Sequence, residues 1–228
     1  HVRGMLHEMG VPKLLTNHIV TSGGLARDTV RERFNGARLY HMGPPTDHNT
    51  VDGLPVSLCD TIDNADVILA TGLDFPDVKS HRAMLEKAYA RGITLLCANP
   101  DRIVHVGDKL FTCAGAVADL YAEMGGSVEW FGKPMASALL SCMAECGIGA
   151  HSLKTDQVIM VGDSLQTDIA GANNAGIKSL FIAGGIHRED WPAVVARTSN
   201  GALPTKDFHD VFGSKKPTPD YISETFRW

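Results

Sequence analysis

The sequence predicts an α/β protein built on parallel strands, and two observations carry that prediction. Short apolar runs of strand length alternate with segments of helical periodicity from Arg38 to Ile182. This alternation is what helical crossovers between parallel strands require. The stretch Val158-Ile159-Met160-Val161-Gly162-Asp163-Ser164-Leu165-Gln166-Thr167-Asp168 then reads as a buried strand, a Gly-Asp turn and a helix start. A length of 228 residues holds one large or two modest domains.

The elements follow in order. His1 to Gly10 reads as the end of an amphipathic helix, with Val2, Met5, Leu6 and Met9 on one face and Gly10 closing it. A helix that begins in mid-face, without an initiator methionine, suggests further residues upstream. A helix is expected from Leu25 to Phe34, capped by Thr21 or Ser22. Strands are expected at Arg38–His41, Pro55–Cys59 and Asp66–Ala70, with the turn-rich loop Gly43-Pro44-Pro45-Thr46-Asp47-His48-Asn49 after the first. Ser80–Arg91 reads as helix with Met84, Leu85 and Ala88 inward. Ile93–Ala98 is β-rich and ends at Asn99-Pro100-Asp101. Ile103–Val106 and Leu110–Thr112 flank a hairpin turn at Gly107-Asp108-Lys109. Helix is expected at Ala116–Met124 and Met135–Glu145, strand at Gln157–Val161, helix at Thr167–Ala175 and strand at Ser179–Ile182. The loop Gly184-Gly185-Ile186-His187 closes the pattern, with His187 read as a surface residue. Trp130, Phe131 and Phe181 are expected inside.

Composition narrows the function classes. A formal charge of −5 leaves no basic field for nucleic acid and no polybasic membrane patch. No apolar run is long enough to span a bilayer. The five cysteines form no Cys-x-x-Cys pair, which points to reduced thiols in a cytoplasmic compartment. Cys142 and Cys146, four apart on a helix, read as packing residues rather than metal ligands. No Gly-x-x-x-x-Gly-Lys or Gly-x-Gly-x-x-Gly fingerprint is present.

The chemistry gathers at strand ends. In an open α/β sheet, ligands sit outside the carboxyl ends of the strands. Phe131-Gly132-Lys133-Pro134 sets a lysine at one such turn, and Asp163 and Asp168 stand at another. Carboxylates there are hard oxygen ligands for Mg²⁺, and a lysine beside them can neutralise a phosphate.

These segments, in this order, resemble the haloacid dehalogenase (HAD) superfamily, subfamily IIA, whose members carry a large α/β cap of type C2. The resemblance runs through Thr21-Ser22-Gly23, Asn99-Pro100-Asp101, Cys113-Ala114-Gly115-Ala116, Gly132-Lys133-Pro134, Gly162-Asp163 to Asp168, and Asn173 to Ile177. It implies a Rossmann-like core with a parallel sheet, from residues 1–34 and 128–228, and an inserted C2 cap from 35 to 127. It implies Mg²⁺-dependent hydrolysis of a small phosphate monoester through an aspartyl-phosphate. Lys133 would stabilise the phosphoryl charge, Asp163 would bind Mg²⁺, and Asp168 would orient Lys133 or a metal-bound water. Asn99 and Asp101 would lie near the substrate, and a homodimer would form through the cap.

One departure matters. The family nucleophile belongs to an Asp-x-Asp-Gly motif on the strand beside that of Asp163, and no two aspartates here stand one residue apart. The expectation is that the parent protein carries a further strand–loop–helix unit or two upstream, and that residues 1–228 alone do not turn over. Leu14-Leu15-Thr16-Asn17 mimics the family's second motif, but sits too close to Thr21 to leave room for the usual helix and is read as a chance likeness. The alternative function is a catalytically inactive HAD-like binding or regulatory protein.

Overall fold

A computed structural model describes residues 2–75, 77–106, 109–148, 157–198 and 204–226. The chain divides into two compact units, residues 1–19 with 133–228, and residues 20–132. The boundaries expected at 34/35 and 127/128 thus fall at 19/20 and 132/133. Helix α1 (Val2–Glu8) opens the chain and buries no residue; Met5 and Met9 of its apolar face are exposed.

The unit of residues 20–132 starts with α2 (Ser22–Arg33), whose first turn is capped by Thr21 Oγ1 accepting from Gly24 N at 3.0 Å. It continues through β1 (Arg38–Met42), β2 (Ser57–Leu58), β3 (Val67–Ala70), α3 (Arg82–Ala90) and β4 (Thr94–Cys97). After these come β5 (Ile103–Val106), β6 (Lys109–Thr112), α4 (Ala114–Glu123) and β7 (Val128–Trp130). Five strands make a parallel sheet in the order β2-β1-β3-β4-β7. Its core follows from the two-residue period of a strand. Leu39, Val67, Leu69 and Leu96 pack with Ala26 and Val30 of α2, while Met42, Ile68, Leu95 and Cys97 pack with Leu85, Val117 and Tyr121 of α3 and α4. This is why α2 belongs here and not with the other segments: its buried stripe covers one face of this sheet. The antiparallel pair β5–β6 stands apart from the sheet; the tip expected at Gly107-Asp108 lies outside the described residues.

The other unit continues with α5 (Ala136–Glu145), β8 (Ile159–Gly162), α6 (Ala170–Ala175), β9 (Lys178–Ile182), α7 (Trp191–Arg197), α8 (Thr205–Phe212) and β10 (Tyr221–Ser223). Its parallel sheet has the order β10-β9-β8, separate from the first among the described residues. Leu139 and Met143 of α5 pack with Ala172 and Ile177, and Phe181 packs with Leu165, Ile169 and Phe208. β10 is stapled to β9 by Asp220, whose carboxylate accepts from Ser179 N at 3.0 Å and pairs with Lys178 at 2.5 Å. Against the cost of its burial, those bonds hold the Asp220 carboxyl below its usual range.

Two packing expectations are corrected. Cys142 and Cys146 are both exposed, because α5 buries Ala138, Leu139 and Met143 instead. His187 is half-buried, its ring meeting those of Phe181 and Phe212 edge-on at 5.5 and 5.4 Å. No helix among the described residues is long and apolar enough to cross a membrane.

Candidate active site

The site is built where β8 runs out. Gly162 ends the strand, Asp163 and Ser164 form the turn, and a π-helical turn at Leu165–Ile169 leads into α6. Ser164 caps that turn by accepting from Thr167 N at 3.3 Å. The wide turn brings Asp168 back beneath the strand end. Its Oδ2 accepts from the backbone N–H groups of Asp163 and Ser164, each at 3.0 Å. Its Oδ1 accepts from Lys133 Nζ at 2.5 Å. The Asp168 side chain is only 5% exposed, against 45% for Lys133. A buried carboxylate is tolerated only when its charge is met, and here one ammonium and two N–H groups meet it.

The surrounding backbone explains why these residues reach one place. A Cβ at Gly162 would lie 2.3 Å from the Asp168 carboxyl carbon, so only glycine lets that carboxylate sit under the strand end. Lys133 is fixed through Pro134, whose carbonyl accepts from Asn174 Nδ2 of α6 at 2.9 Å.

Asp163 lies beside this lock and faces outward. Its Oδ2 accepts from Ile186 N at 3.2 Å, tying the 184–190 loop to the β8 turn. Asp163, Gly184 and Gly185 line two adjoining clefts. One, of about 410 Å³, is also lined by Glu224, Thr225 and Phe226. The other, of about 730 Å³, is lined by Ile186, Arg188, Glu189 and Asp190.

The donors suit a hard cation in a limited way. Asp163 offers one carboxylate, whereas both oxygens of Asp168 are engaged. No group of three His, Cys, Asp or Glu side chains among the described residues could hold a metal. One protein carboxylate, completed by water and a phosphate oxygen, is within the range Mg²⁺ accepts.

Of the residues the sequence singled out, the structure thus brings Lys133, Asp163 and Asp168 together. Asn99 and Asp101 belong to the other unit. There Asn99 Oδ1 accepts from Asp101 N at 3.3 Å, the Asx turn that shapes this corner, and the Asp101 carbonyl accepts from Gly115 N at 3.0 Å. Thr16 is buried, with its hydroxyl donating to the Lys13 carbonyl at 3.0 Å and meeting His7 Nε2 at 2.7 Å. Ile186 and Arg188 were not singled out by sequence; the double glycine before them was the available signal.

Residues 130–204 match the HAD-hydrolase-like family. Over that segment the chain resembles the haloacid dehalogenase superfamily. It is 33% identical to a haloacid dehalogenase-like hydrolase of known structure from Brucella suis, with a TM-score of 0.62, covering 74% of this chain and 65% of that one. An acid sugar phosphatase from Staphylococcus aureus is 25% identical over 171 residues, 74% of this chain and 62% of the relative. The fold also matches a glycerol phosphate phosphatase from Mycobacterium tuberculosis solved in complex with calcium, at 24% identity and a TM-score of 0.65, covering 98% of this chain and 58% of that one. The chain therefore spans about three fifths of the length of that curated relative, 62%.

Proposed function

We propose that the whole protein is a cytoplasmic, Mg²⁺-dependent phosphohydrolase acting on a small phosphate monoester. The observation that carries this reading is the lock of Lys133 onto buried Asp168, itself pinned by two backbone N–H groups, beside the outward carboxylate of Asp163. Asp168 is a positioning residue. It fixes the ammonium of Lys133 at the strand rim, so that a positive charge waits where a phosphoryl group would gain charge. Asp163 would hold the cation; when bound, Mg²⁺ supplies neutralisation of phosphate oxygens. The route implied by family resemblance forms an aspartyl-phosphate on a nucleophile that no Asp-x-Asp pair in residues 1–228 provides. Residues 1–228 alone are accordingly expected not to turn over.

The unit of residues 20–132 is proposed as the C2 cap, with Asn99 and Asp101 facing substrate. A homodimer through this unit is supported by the hairpin residues Ile103, Leu110 and Phe111, which are exposed. The second reading, an inactive HAD-like binding or regulatory protein, is favoured by the lack of an Asp-x-Asp pair in residues 1–228.

A screen of the whole protein against phosphate esters with Mg²⁺ separates the two. Asp163→Asn is expected to lower turnover by about a hundredfold or more. Lys133→Ala is expected to lose turnover with its circular dichroism unchanged. Wild-type turnover in Asp163→Asn would sink the mechanism. A wild type that binds phosphate without hydrolysing any ester would establish the second reading.

A further inference from the structure

The loop after β9 is held at three points. Gly185 sits so close to Asp163 that a Cβ there would lie 2.2 Å from Asp163 Oδ2. Ile186 N donates to that same oxygen at 3.2 Å. His187 packs edge-on against the rings of Phe181 and Phe212, which also touch each other, and its Nδ1 meets Asp190 Oδ2 at 3.2 Å. The turn closes with Arg188 N donating to the Gly185 carbonyl at 3.2 Å. A loop pinned in this way fixes the backbone position from which its one lysine or arginine side chain projects.

That side chain is Arg188. It is exposed, it lines the cleft of about 730 Å³ with Asp163, and its guanidinium has no hydrogen bond or ion pair among the described residues. The other charged residues lining the two clefts are acidic: Asp163, Glu189, Asp190 and Glu224. An anionic substrate entering such a field is repelled unless cations meet it. Lys133 is already committed to Asp168 at the strand rim. Arg188 stands beyond a four-residue turn, which sets its Cα within roughly 7 Å of that of Gly185. Asp163 and Arg188 line the same cleft, so a phosphate ester seated at Asp163 has this guanidinium on the wall of its site.

We infer that Arg188 is a specificity-determining residue that receives a second anionic group, a carboxylate or another phosphate, at the far end of the phosphate ester. The guanidinium fork matches either group with two parallel hydrogen bonds. The substrate class is then a doubly anionic small ester rather than a phosphorylated polyol. This inference rests on the phosphatase reading and deepens it.

Two esters of nearly equal size test it: 3-phosphoglycerate, with a distal carboxylate, and glycerol 1-phosphate, with a hydroxymethyl group there. The whole protein with Mg²⁺ is expected to favour 3-phosphoglycerate in kcat/KM. Arg188→Gln is expected to raise KM for 3-phosphoglycerate about ten- to a hundredfold, leaving kcat and the glycerol 1-phosphate constants nearly unchanged. Arg188→Lys should restore part of the loss. An equal loss on both esters would place Arg188 on the phosphoryl group and overturn the inference, as would no loss on either. If the wild type hydrolyses neither these esters nor p-nitrophenyl phosphate, the phosphatase reading fails by itself. Calorimetric binding of 3-phosphoglycerate then decides the role of Arg188: weakened binding in Arg188→Gln sustains it, and unchanged binding removes it.

Discussion

The strand ends after β8 and β4 look alike in sequence and differ in structure. Both follow an apolar strand and both offer two polar residues, Asp163 and Asp168 in one, Asn99 and Asp101 in the other. After β8 the distal acid is buried, bonded to two backbone N–H groups and a lysine 35 residues away. After β4 the distal acid is exposed, and Asn99 spends its oxygen on the local turn. A turn that serves itself uses side chains to satisfy neighbouring backbone. The β8 turn instead draws in Lys133 from afar and leaves Asp163 lining a cleft.

The sharpest break of that comparison is a pair of stability measurements. Asp168→Ala leaves two part-buried N–H groups and Lys133 without their acceptor and is expected to cost about 1–3 kcal/mol by denaturant unfolding. Asp101→Ala is expected to cost less than about 0.5 kcal/mol, since an exposed side chain is removed. Equal costs would erase the distinction. Asn99→Ala, which loses only a turn bond, should fall between them at about 1 kcal/mol. If Asn99 also touches substrate, its KM will rise while Asp168→Ala lowers kcat.

The lock can be disturbed without touching its charges. Gly162→Ala pushes a methyl group into the Asp168 carboxylate and is expected to destabilise by about 1–3 kcal/mol. The lost activity should match that of Asp168→Ala, and a variant with full turnover would mean that the carboxylate need not sit beneath the strand.

The smallest effect contrasts the two units by pH. In the 20–132 unit, burial and then the neighbouring His48 push the His41 imidazole below its ordinary value; Asp47 and Asp74 oppose them, and His41 Nε2 lies 2.9 Å from Thr71 Oγ1. The unfolded chain therefore takes up the proton first. Stability is full above about pH 6.5 and is lost as pH falls below it, through the folded value. His41→Gln should flatten that part of the acid limb, read as thermal midpoints between pH 7 and 5. An unchanged slope would assign the loss to other groups.

Much of this was legible in the sequence for physical reasons. Val67–Ala70 and Thr94–Cys97 are nearly continuous apolar runs because both faces of their sheet are covered, and they read as strands at once. Asp163 and Asp168 were legible because their spacing across a strand-to-helix turn is fixed by short-range geometry. β7 escaped notice: it has only three residues and carries Glu129, which pairs with Arg33 at 2.7 Å. The membership of α2 was misread, since the face a helix covers is decided by distant partners. The same holds for Ile186 and Arg188, whose relation to Asp163 exists only once the loop has folded back.

The Asp220 staple has a consequence in time. Ser179 N is protected by a carboxylate carried just before β10, not by a neighbouring strand's carbonyl. Beyond β10 the same segment supplies Glu224, Thr225 and Phe226 to the wall of the Asp163 cleft. Peeling of this terminal strand frees the Ser179 amide and removes that wall in one event. The exchange rate of a single amide hydrogen thus clocks how long the cleft keeps its shape.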